Sequence, residues 1–121
     1  AEEVVREEFS ARALFNRYLW FKDASAALDA KTASIKVYEA RFVRLREQYA
    51  DVPRREWARE DREQANLWES EMAGIVASYN LLAADFNAQM AKINWRFASV
   101  GDLPAGASEP LPRAYKPYQE R

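Results

Sequence analysis

The chain has 121 residues, enough for one domain, and its 18 Lys and Arg against 19 Asp and Glu leave a formal charge of −1, which argues against a tail built for nucleic acid or acidic lipid. With 49% hydrophobic and 31% charged residues and only 3 Gly, it has the composition of an ordered, helix-rich protein. It holds neither Cys nor His, so disulfides, thiolate or imidazole zinc sites, histidine-ligated haem, Cys or Ser–His nucleophiles and a histidine pH switch are excluded.

Residues 1–50 contain no Gly or Pro and predict one long helix over about 2–50. Leu14, Phe21, Leu28, Ile35, Phe42 and Tyr49 recur every seven residues, with Tyr18, Tyr38 and Leu45 beside them. This is the seam of a coiled-coil-like helix. Glu2, Glu3, Glu7 and Glu8 at its start and Arg41, Arg44 and Arg46 near its end suit the helix dipole.

Asp51-Val52-Pro53-Arg54 breaks the pattern, because proline lacks an amide donor and pushes Val52 to extended backbone. A second helix is predicted over about 54–97, with Glu56, Glu60, Asp61 and Glu63 at its start and Lys92 and Arg96 at its end. Its seam runs Trp68, Met72, Ile75, Tyr79, Leu82, Phe86, Met90, Ile93 and Phe97. So short a connection implies an antiparallel hairpin in which residue i faces roughly 105 minus i, so that Leu28 meets the Ala77 level and Leu14 the Ala91 level.

Each helix carries a second stripe on its back. On the first it reads Leu19, Ala26, Ala30, Ala33, Val37 and Ala40, and on the second Ala73, Ala77, Ala84, Ala88, Ala91 and Trp95. Alanine is either simply the best helix former on a wet face or a small residue that lets another helix approach. Leu19, Val37 and Trp95 favour contact, and so does the thin core of a lone hairpin. Self-association into a larger bundle is the expectation.

Residues 98–121 change character, with two Gly and four Pro. Gly101 is placed as the left-handed residue after the second helix, Leu103-Pro104-Ala105-Gly106 reads as a turn and Pro110-Leu111-Pro112 as extended chain. Leu103, Leu111, Tyr115 and Tyr118 are spaced apolar anchors, so the segment reads as a strap that docks on its own bundle or on a partner, or else stays disordered. No two prolines in it stand three apart, so the P-x-x-P ligand pattern is missing. Asn80, Asn87 and Asn94, at a spacing of seven beside the seam, form an amide ladder that can bond the returning strap, a helix or a partner.

Catalytic constellations are hard to assemble. Carboxylates alternate with arginines, as in Arg54 to Glu63, which is the pattern of a solvated, ion-paired helix start. Without His a di-iron bundle lacks its usual ligands, and calcium loops and phosphate-binding glycine motifs do not occur. No enzyme activity, cofactor or metal is expected. Asp61 is the one acid on the seam, where it either pairs with Arg44 or Arg46 or sits in a frayed, wet turn. Arginine clusters are neutralised by nearby acids, which disfavours nucleic acid, and the longest uncharged run, Met72 to Ala84, is thirteen residues against the roughly twenty a membrane helix needs.

The segment from Ser78 to Met90, with Tyr79-Asn80 and Phe86-Asn87, resembles the repeated Tyr-Asn pattern in the last long helix of LemA-like bacterial envelope proteins. The resemblance covers one helix and implies a helical, extracytoplasmic protein. The chain lacks that family's N-terminal anchor, and its Pro-rich end departs from the pattern. Ala1 in place of Met leaves a removed signal or anchor open, and localisation with it.

The resulting expectation is an all-α hairpin over 1–97 with an extended strap over 98–121, acting as a structural or protein-interaction protein that self-associates or joins a larger complex, with a lean to the bacterial envelope. The alternatives are a virion or other assembly component latched by the strap, and a helical module for a small ligand or peptide. Candidate interface residues are Leu19, Trp20, Trp57, Asn80, Asn87, Asn94, Trp95, Leu111, Tyr115 and Tyr118, the tryptophans because they are favoured at binding hot spots.

Overall fold

The structure, a computed structural model, describes residues 2–118, with side chains from Ser10 onward. The side chains of Glu2, Glu3, Glu7 and Glu8 and the last three residues of the strap lie outside the described residues. Two long helices, α1 (Glu2–Gln48) and α2 (Arg59–Lys92), pack antiparallel, and among the described residues there is no strand. No helix among them is long and apolar enough to cross a membrane.

The hairpin forms along the seam that the spacing marks out. Phe21, Leu28 and Ile35 are buried on α1, with Tyr18 and Leu45 beside them, and Tyr79, Phe86 and Met90 are buried on α2. Phe21 meets Phe86 edge to face at 5.3 Å, and Phe42 meets Trp68 at 6.0 Å. These pairs correct the expected register, in which Phe21 would lie at the level of residue 84 and Phe42 at that of residue 63.

The shift has a local cause. Residues 49–58 make a longer connection than a tight turn: Asp51 takes a left-handed φ of 64°, and Arg54–Glu56 forms a 3-10 turn before α2 starts at Arg59 rather than 54. Tyr49 holds this end together. Its hydroxyl donates to the Asp61 carboxylate and accepts the Ala58 amide at the helix start, while its ring stacks on Trp57 at 4.8 Å. Asp61 is therefore bonded by Tyr49 rather than by Arg44 or Arg46.

The other end departs further from expectation. α2 stops at Lys92, not 97, in a left-handed cap: the Asn94 amide bonds Ala91 O and the Trp95 amide bonds Met90 O. Asn94 (φ 53°) and Trp95 (φ 56°) are the left-handed residues, and Gly101 is not, lying instead in a 3-10 turn over Val100–Asp102. Asparagine tolerates this conformation better than most residues. After the reversal Phe97 enters the core fully buried, edge to face with Tyr18 and near Phe21.

From Leu103 the chain runs back along the hairpin without regular structure. Gly106 (φ 94°) carries the turn closed by the Ala107 amide on Pro104 O, over the Phe15 ring. Leu111 is buried, and Tyr115 packs edge to face on Phe86 at 5.1 Å. Phe86 thus touches both the first helix and the strap. Phe86→Ala should lower unfolding free energy by about 3–5 kcal/mol in urea titration, whereas Leu81→Ala, at a side chain 75% exposed, should stay within about 0.5 kcal/mol.

Candidate functional site

An extended segment laid on a helical groove has no sheet to satisfy its amides and carbonyls, so side chains must do it. On α2, Asn87 lies one residue beyond the seam position of Phe86, which turns its amide toward the strap. There its Nδ2 donates to Tyr115 O (2.7 Å) and its Oδ1 accepts the Tyr115 amide (2.8 Å). One turn-pair earlier, Asn80 Oδ1 accepts the Tyr118 amide at 2.8 Å, and the Tyr79 hydroxyl donates to Lys116 O at 2.8 Å. From α1 the Tyr18 hydroxyl donates to Glu109 O at 2.6 Å. The Leu111 amide bonds Phe97 O at 2.9 Å. The groove therefore reads the strap mainly through its backbone, while Leu111 and Tyr115 fill the apolar gaps.

Tyr115 is the most connected of these residues. Its hydroxyl shares a hydrogen bond with Ser25 Oγ, a buried α1 side chain, and approaches Asp29 Oδ1 at 3.3 Å. Burial raises its phenol above the usual 10; the Asp29 charge pushes the same way and the Ser25 bond opposes it.

The candidate interface residues divide into four sets. Asn80, Asn87, Leu111, Tyr115 and Tyr118 come together in the strap groove. Asn94 leaves the ladder to form the left-handed cap, and Trp95 next to it carries the Arg113 guanidinium over its ring at 4.4 Å. Trp57 is occupied inside its own turn, with Nε1 bonded to Val52 O, Tyr49 stacked on one side and Arg54 nearby. Leu19 and Trp20 remain half-exposed, Trp20 edge-on to Phe21 beside an open cleft with Arg17, Asp85 and Gln89.

Both alanine stripes face outward: Ala26, Ala30, Ala33, Val37 and Ala40 on α1, and Ala73, Ala77, Ala84, Ala88 and Ala91 on α2, are all exposed. Sequence reasoning missed the most exposed large hydrophobic residue of α2, Leu81, whose signal is its fourteen-residue spacing from Leu67 with Gly74 between. It also assigned Tyr18 and Tyr79 wholly to the seam, where their rings do pack; their hydroxyls reach the strap, which periodicity does not encode.

No family model, curated protein or solved structure matches this chain.

Asn87→Ala leaves both the amide and the carbonyl of Tyr115 without their partner, which should cost about 1–3 kcal/mol and speed hydrogen exchange at the Tyr115 amide selectively. The raised Tyr115 phenol favours the neutral form in the fold, so its contribution is complete below pH 10 and is lost as pH rises from there through the folded value. Melting temperature should therefore fall above about pH 10, less steeply in Tyr115→Phe than in the natural chain, because Tyr38 and Tyr49, raised by bonds to Glu71 and Asp61, still titrate.

Proposed function

We propose that this is a non-enzymatic structural protein whose hairpin self-associates through the outer face of α2. The observation that carries this reading is the chemistry of that face. Residues 72–84 contain no charge, and Ala73, Gly74, Ala77, Leu81, Ala84, Ala88 and Ala91 all point away from α1 and are exposed. A solvated helix face of five turns normally carries Lys and Glu. Small residues with one projecting leucine allow close approach of a second helix.

The occupant that fits is a second copy of the same face. Toward the start of α2 lie Glu63, Glu69 and Glu71, partnered within the chain by Arg59, Arg54 and Tyr38, and at its end lies Lys92. Two copies laid antiparallel about Leu81 set the Glu71 end of one against the Lys92 end of the other, so the rims attract while the middle stays apolar. This isologous arrangement gives a closed pair of hairpins, a four-helix bundle. The likeness of Ser78 to Met90 to LemA-like proteins adds a setting, the bacterial envelope.

Light scattering over a range of concentrations tests the reading. The natural chain should move from monomer to dimer, Leu81→Arg should stay monomeric with the melting temperature of the natural chain at monomer concentrations, and a natural chain that is monomeric at every concentration would defeat the proposal.

A further inference from the structure

The sequence pattern and the fold part company over residues 93–97. Ile93 and Phe97 continue the three–four spacing of the α2 seam, yet the helix stops at Lys92 and the chain reverses through Asn94 and Trp95. Left-handed backbone is tolerable for asparagine, but for tryptophan it is an outlier held in place by its surroundings. Those surroundings are the buried Phe97 ring, the Leu111 amide on Phe97 O, and Arg113 over the Trp95 ring. The strap contacts and the cap bonds to Ala91 O and Met90 O together surround the reversal.

The strap's other anchoring bonds do not depend on the reversal. They run to Tyr18 and Ser25 on α1 and to Tyr79, Asn80 and Asn87 on α2, all of them in a groove that any copy of the chain presents. We propose that the strap is exchangeable: Asn94 and Trp95 form a hinge which, on straightening, carries α2 through Phe97 and delivers residues 103–118 into the groove of a second copy. The inference rests on self-association for the presence of that copy, and it names the segment that crosses between them.

The groove contacts of residues 103–118 are remade between two chains, whereas Phe97 leaves Tyr18 and Phe21 and loses its bond from the Leu111 amide, and Arg113 leaves the Trp95 ring. Those losses and the entropy of association are set against relief of two left-handed residues and one added helical turn, so exchange needs high concentration. Exchange is reciprocal, two straps filling two grooves, and its extent rises with concentration.

The absence of native Cys makes a direct test possible. Ala26 and Pro112 line the same cleft between α1 and the strap. The double variant Ala26→Cys/Pro112→Cys, full length, should be joined within one chain by a short bis-maleimide. An equimolar mixture of the two single variants, concentrated together before cross-linking, should yield a covalent heterodimer well above the homodimers that either single variant gives alone. Substitutions at the hinge should move that yield in opposite directions. Asn94→Gly, which eases the reversal, lowers it, and Asn94→Ala, which favours continued helix, raises it, the two differing by roughly tenfold. No heterodimer above the homodimer controls, with light scattering still showing dimers of the natural chain, overturns exchange and leaves self-association standing. No heterodimer together with a strictly monomeric natural chain removes both.

Discussion

An extended peptide is stably buried on apolar helices when its amides and carbonyls find partners there, since an unpaired polar group taken out of water cancels much of what the burial of a neighbouring side chain returns. In this chain the partners are Asn87 and Asn80, the hydroxyls of Tyr18 and Tyr79, and the carbonyl of Phe97. Leu111 and Tyr115 reach the core only because those bonds are made, and Phe86 is covered on its strap side only because Tyr115 is there. Two helices with a thin seam thereby become a three-element core. Asparagine within a helix is locally unfavourable, and at positions 80 and 87 the structure shows what offsets it.

The strap also makes the hairpin two-sided. One groove is filled by residues 103–118, with tyrosine rings and backbone bonds; the opposite side keeps Trp20 half-exposed beside Arg17, Asp85 and Gln89, and the outer surface of α2 stays apolar and small. The surfaces left uncovered are thus those the strap does not reach. Asn87 and Tyr115 act inside the molecule, while Leu81, 75% exposed, faces outward.

At the turn end the same economy of side chains appears. Tyr49 closes the connection by stacking on Trp57, bonding Asp61 and accepting the Ala58 amide where no side chain of α2 itself caps the helix. Arg54 adds bonds to Glu69 and Asn66 across the connection. The ten-residue connection, longer than a tight turn, moved the register of every pair above it, so Phe42 lies against Trp68. A seam of heptads accepts such a slide because each large residue finds an equivalent neighbour a few positions along.

The seven-residue recurrence from Leu14 to Tyr49 and the three–four spacing from Trp68 to Phe86 by themselves determined two long helices and the faces they bury, because helical periodicity is a local property of the chain. The break at Pro53 was equally local. Where α2 ends was not. Residues 93–97 carry the pattern of continued helix, and the reversal at Asn94 and Trp95 wins through contacts with residues far along the chain: Phe97 with Tyr18 and Phe21, Leu111 with Phe97, Arg113 with Trp95. Only the tertiary structure could decide between those outcomes, since the energy that separates them is made at a distance. For the same reason it alone could show that two rungs of the asparagine ladder hold a strap while the third turns the chain around.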